Sequence, residues 1–85
     1  MPVISRFFGI VVFMHWREHP PPHFHAKYQD QEVSIEIDSG YVEGNMAPKA
    51  LALIEQWRRM HVAELLADWT LAEQKRSLKS ILPLE

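Results

Sequence analysis

Four of the chain's five histidines fall within eleven residues, at His15, His19, His23 and His25, with Arg17 and Glu18 between them and Lys27 just beyond. Imidazole titrates closest to neutral pH of all side chains and is the commonest metal ligand. Three roles suit such a cluster. The first is a metal site. His23 and His25 stand two apart on an expected strand, so both rings leave the same face. His15 or His19 would add a third nitrogen and Glu36 an oxygen, the three-ligand pattern with an open position that catalytic zinc uses. The spacing matches no standard zinc motif, so a divalent ion such as zinc is an option and no cofactor is assigned. The second is metal-free acid–base chemistry: His23 or His25 moves a proton while the planar fork of Arg17 holds a phosphate or carboxylate. A small hydrolase or ribonuclease needs little more. The third is structural, with His23 simply pairing with Glu36 across a hairpin. Whether the chain is an enzyme stays open on these residues.

The elements that must position the cluster read as strands first and helices after. Val3–Phe8 and Ile10–Trp16 have strand composition and are parted near Gly9. The second is apolar on both faces at 10–14, which suits a central strand or one whose outer face meets a partner. Pro20, Pro21 and Pro22 cannot donate ladder hydrogen bonds and interrupt the sheet with a stiff segment. His23–Tyr28 and Gln31–Asp38 then form a hairpin around Gln29-Asp30. In that register Ala26 faces Val33 and Phe24 faces Ile35 on one side. Lys27 faces Glu32, His25 faces Ser34 and His23 faces Glu36 on the other, so one face is apolar and one polar. Ser39-Gly40 is a further turn, and Tyr41-Val42-Glu43 a short edge strand.

Pro48 suits the first turn of a helix. Ala50, Leu51, Leu53, Ile54 and Trp57 make one helical stripe, and Val62, Leu65, Leu66 and Trp69 a second. The phase slips at Met60-His61, which predicts two helices, with His61 at a helix end and Glu64 at cap-like spacing. Trp57 and Trp69 are expected in the core. Arg58-Arg59 reads as a solvated basic pair, with Glu55 and Arg59 at i,i+4. After Arg76 an extended tail is expected to pack through Ile81, Leu82 and Leu84. The fold class is therefore α+β: an antiparallel sheet of three to five strands with two N-terminal hairpins, two helices packed on one face, and an extended C-terminal tail, all in one domain over residues 1–85.

Composition narrows the classes. With 85 residues, 47% hydrophobic, and no cysteine, the chain has the make-up of one globular domain that relies on its core rather than on disulfides or thiolate metal sites. Three Trp, four Phe and two Tyr provide much of that core. A formal charge of −2 does not support nucleic-acid binding beyond a local patch. No apolar run is long enough for a membrane span, and the first residues lack signal-peptide features, so the expected location is cytoplasmic.

The run Met1-Pro-Val-Ile-Ser-Arg-Phe-Phe-Gly-Ile-Val-Val and the block His19-Pro-Pro-Pro-His-Phe-His-Ala-Lys-Tyr28 resemble a family of small bacterial proteins known as domain of unknown function 4160. Trp57, the Glu64-Leu65-Leu66…Trp69 segment and the closing Ile81–Leu84 extend the likeness. The resemblance implies a bacterial, stand-alone domain, often encoded beside another small protein in an arrangement like that of toxin–antitoxin pairs. It thus implies an interaction or regulatory module whose partner is a neighbouring gene's product; a homo-oligomer is the other partner to expect. Relatives often carry Gly in the turn that here reads Gln29-Asp30. The resemblance carries over no catalytic residues, so His23, His25 and Arg17 are candidates from chemistry alone.

Overall fold

The computed structural model describes residues 2–85. Five strands, β1 (Val3–Phe7), β2 (Ile10–Phe13), β3 (His23–Tyr28), β4 (Gln31–Glu36) and β5 (Val42–Gly44), precede two helices, α1 (Pro48–Met60) and α2 (Val62–Glu73). The strands form one antiparallel meander in the order β1-β2-β3-β4-β5. Each strand pairs with its sequence neighbour because every connection between them is short or reverses directly.

The β3–β4 register is the one that alternation predicts, from His23 opposite Glu36 through Tyr28 opposite Gln31. Its two-residue turn is made with Gln29 at φ +56, a left-handed conformation that glycine adopts most easily and that explains why a glycine suits this place. Three strands are shorter than expected, β1 by one residue, since it ends at Phe7. β2 ends at Phe13 rather than Trp16, because the chain turns at Trp16-Arg17 before the prolines. β4 ends at Glu36 rather than Asp38, because Glu36 closes the next turn by accepting the Gly40 N–H.

The helices cover one face of the sheet. Phe7, Ile10, Val12, Phe24, Ala26, Val33 and Ile35 of the sheet join Ala50, Ile54, Trp57, Leu65 and Trp69 of the helices in one core cluster. Trp57 is fully buried and packs against Phe7 at 5.4 Å and Phe24 at 5.8 Å. The helices break at His61, whose φ of −130° is not helical. Its Nδ1 pairs with Glu64 Oε1 at 2.6 Å, so a side chain in the first turn of α2 fixes the junction that no Gly or Pro enforces.

The tail is a strap across the core. Lys79 N–H donates to Asp68 Oδ1 (2.9 Å), Ile81 N–H to the Ile4 carbonyl (2.8 Å), and Trp57 Nε1–H to the Leu82 carbonyl (2.9 Å). Ile81 and Leu84 are buried as expected, but the Leu82 side chain is 75% exposed. Its backbone faces inward to meet Trp57, which turns the side chain out. A second correction concerns Arg58. It is buried rather than solvated, and its guanidinium donates to the Ile37 carbonyl (2.7 Å) and to Glu55 (2.7 and 2.8 Å). The Glu55–Arg59 pair is present at 2.8 Å and lies outside it.

Candidate functional site

The sheet face opposite the core carries Phe13 of β2, His23 and His25 of β3, and Ser34 and Glu36 of β4. Alternation alone puts them there, since Phe13 lies opposite His25 and His25 opposite Ser34. Phe13 is nonetheless only 1% exposed. The His25 ring stacks on it at 5.3 Å and 16°, and the His15 ring meets it edge-on at 5.5 Å. The outer face of β2, expected as an apolar surface for a partner, is thus capped at Phe13 by the protein's own imidazoles.

The loop from Met14 to Pro22 completes the site. It turns at Trp16-Arg17, with Arg17 at φ +61, and contains a cis Pro20–Pro21 bond. This path returns Glu18 over β3. His25 Nε2–H donates to Glu18 Oε1 at 2.6 Å, and His23 Nε2 lies 3.3 Å from the same oxygen. The His15 and His25 ring centroids are 4.6 Å apart, and single ligand atoms of His15, Glu18 and His25 lie within 4.8 Å of one another. All three side chains are half-buried. Burial pushes the Glu18 carboxyl up, but the His25 hydrogen bond and the charges of His25 and His23 outweigh it, and its pKa lies below the usual value. Glu18 is therefore held as a carboxylate.

His23 is oriented from the other side. Its Nδ1 lies 2.8 Å from the Pro21 carbonyl oxygen, which can only accept, so Nδ1 carries the proton. Its ring also meets Trp69 of α2 at 5.1 Å. Beside the cluster is a pocket of about 190 Å³ bounded by the proline loop (His19, Pro20, Pro21), by His23, and by Ser34, Glu36, Tyr41 and Glu43.

The expected residues are thus distributed as follows. His15, His23 and His25 converge. His19 lies in the pocket wall, one step away. Arg17 is exposed and makes no hydrogen bond or ion pair to the histidines among the described residues. Glu36 stands opposite His23 in register, but its carboxylate accepts the Ser39 hydroxyl proton at 2.8 Å, and the histidines take Glu18 instead. The central role of Glu18 was missed by strand register, which cannot see a loop residue. The signal for it was simpler: Glu18 is the only carboxylate between His15 and His25.

Fold and site together define a small α+β domain whose sheet is covered on one face and carries a histidine–carboxylate cluster on the other. The chain belongs to the family described as domain of unknown function (DUF4160), whose model matches residues 9–70. That span holds the loop, the cluster and most of both helices. It leaves out the Val3–Phe8 stretch and the closing Ile81–Leu84, over which the likeness had been drawn. No curated protein and no solved structure matches the chain.

Proposed function

We propose that this domain is a bacterial interaction and regulatory module, one component of a toxin–antitoxin-like pair, that binds its partner through the uncovered sheet face. The single observation that carries this reading is the composition of that face. One row across four strands reads Arg6, Val11, Lys27, Glu32, and the next reads Val3, Phe13, His25, Ser34, Glu43. Positive charge lies toward β1 and β3, and negative charge, with Glu36, toward β4 and β5. A face split in this way fits a partner of opposite polarity in one orientation, and charge pattern sets orientation and encounter rate. Two large aromatic side chains stand ready as anchors: Trp16, 51% exposed in the loop beside the histidines, and Tyr41, 58% exposed in the pocket wall. Aromatic residues of this kind dominate interface energetics. The reading takes the chain to be cytoplasmic; among the described residues no helix is long and apolar enough to cross a membrane.

The test is co-expression with the product of the adjacent gene, followed by size-exclusion chromatography and growth measurement. One complex is expected, with growth altered when either component is expressed alone. Trp16→Ala with Tyr41→Ala is expected to weaken the complex by more than about tenfold. A monomer, or a homo-oligomer, that elutes apart from its neighbour and leaves growth unchanged refutes the proposal.

A second reading, a small hydrolase or ribonuclease, is favoured by the 2.6 Å Glu18–His25 contact. A carboxylate that holds an imidazole in one orientation is how many general bases are prepared. Arg17 would have to swing inward to bind a phosphate there.

A further inference from the structure

We infer that His15, Glu18 and His25, whose ligand atoms lie within 4.8 Å of one another, form a binding site for one divalent transition ion of the zinc class, with His23 beside the same carboxylate. The inference is independent of the partner proposed above and does not need that partner to exist.

The argument starts from the hydrogen bonds of His23. Its Nδ1 proton is committed to the Pro21 carbonyl. In neutral imidazole the other nitrogen then carries a lone pair. That lone pair faces Glu18 Oε1, a carboxylate oxygen, at 3.3 Å. Two acceptors facing each other at that distance repel unless a cation lies between or beside them. A proton on His23 would serve, and so would a metal ion. The surroundings suit a metal as well. A ligating histidine characteristically donates its other ring N–H to a backbone carbonyl, which fixes tautomer and ring direction, and Pro21 does this for His23. The same carboxylate oxygen already has a second imidazole nitrogen, His25 Nε2, at 2.6 Å, and a ring nitrogen of His15 lies within 4.8 Å of ligand atoms of both His25 and Glu18.

The spacing is also right. Bonds of about 2.0–2.1 Å from zinc to nitrogen and oxygen at tetrahedral angles place neighbouring donors about 3.3 Å apart. The His23–Glu18 separation equals that edge. The His25–Glu18 contact is a hydrogen bond, and the ion takes the place of its proton as the two atoms part by about 0.7 Å. Two imidazoles and one carboxylate suit zinc, nickel or copper, and not magnesium or calcium, which require mostly oxygen donors. The rigid proline loop brings Glu18 to β3, so a bound ion would tie the loop to the strand.

The test uses the full chain, free of any affinity tag, titrated with Zn²⁺ alone by calorimetry and with Co²⁺ alone by visible absorption. One ion per chain is expected, with the intense d–d bands of four-coordinate cobalt and a melting temperature that rises with Zn²⁺ and falls back on chelation. Glu18→Gln and His15→Gln are each expected to weaken Zn²⁺ binding by at least about tenfold. His61→Ala, in a histidine engaged elsewhere by Glu64, should leave it unchanged. His25→Gln removes the ring stacked on Phe13 and His15→Gln the ring edge-on to it, so Glu18→Gln, which leaves both rings in place, carries most weight. Absence of saturable binding in the folded wild type overturns the inference. So does binding that survives both Glu18→Gln and His15→Gln, or binding lost equally in His61→Ala.

Discussion

Arg58 offers the sharpest test of how this small core is held, because its burial contradicts what its place in a basic Arg-Arg pair leads one to expect. The side chain is 7% exposed and joins α1 to the end of β4. One nitrogen, Nη1, donates to the Ile37 carbonyl at 2.7 Å and more weakly to Asp38 at 3.4 Å; Nε and Nη2 fork onto the two oxygens of Glu55. Methionine at this position keeps most of the apolar stem and removes every donor. The Ile37 carbonyl is then left without its partner, which costs about 1–3 kcal/mol. The Glu55 pair adds less than about 1 kcal/mol, since that carboxylate is 38% exposed and screened. We expect Arg58→Met to lose about 2–3 kcal/mol in urea unfolding. At about 4–8 °C per kcal/mol for a domain of this size, the melting temperature falls by roughly 10–20 °C. Glu55→Gln leaves the carbonyl bond intact and is expected to cost under about 1 kcal/mol. The pair also has a pH signature. The Arg58 hydrogen bond, against the opposing effect of burial and with help from Arg59, holds the Glu55 carboxyl down to about 2, against 4.5 for the free group. Its contribution is therefore complete above pH 4.5 and is lost as pH falls toward 2. An Arg58→Met protein within about 0.5 kcal/mol of wild type would show that the guanidinium is no more than a surface group that the turn at Gly40 happens to cover.

Two further outcomes follow from the same geometry. His25→Ala removes the ring stacked on Phe13 and the hydrogen bond to Glu18, so it should destabilise the fold by about 1–2 kcal/mol; thermal unfolding that matches wild type would mean that the cluster carries no structural load. Asp68 is buried, and Oδ2 has no hydrogen-bond partner among the described residues. Burial raises its pKa, against the Lys79 N–H bond and with the charge of Glu64. Asp68 therefore contributes stability below its unfolded pKa that is lost as pH rises through the folded value. Asp68→Asn, which keeps an acceptor for Lys79, should gain about 1 kcal/mol at pH 7 and flatten that part of the profile, as read by denaturant midpoints at pH 4 and 7; a loss at pH 7 would refute the account.

The parts of this fold that were legible in the sequence are those with a short period. The β3–β4 register could be written out pair by pair because a two-residue loop and an alternating pattern leave one solution. The break at His61 was visible as a phase slip between two apolar stripes. What was not legible depends on contacts far apart in the chain. Arg58 looks solvated by its charge, yet its acceptor lies 21 positions away at Ile37. Leu82 is apolar but exposed, because the hydrogen bond its carbonyl makes to Trp57, 25 positions earlier, decides which way the side chain points. The site divides in the same manner. His23 and His25 were placed by alternation, while Glu18 depends on a loop path that no periodicity describes, and Glu36, favoured by register, turned out to serve Ser39.

That loop is also where local and global preferences part. Arg17 is a non-glycine residue at φ +61, a conformation that costs of order 1 kcal/mol, and it lies immediately before Glu18. A chain selected only to join β2 to β3 could use a shorter, unstrained turn, since the two strands are antiparallel neighbours and two residues suffice. Instead nine residues, Met14 to Pro22, intervene between Phe13 and His23. Their effect is to bring one carboxylate over three imidazoles and to open a pocket against Tyr41 and Glu43. Of these nine residues only Met14 belongs to the core cluster, so the packing of helices and strap does not rest on His15 to Pro22. Phe8, Gln29 and Lys75 take the same left-handed conformation, so it is the placing of Glu18 against three imidazoles, rather than the turn at Arg17 itself, that is the physical reason to look for function on this face of the sheet.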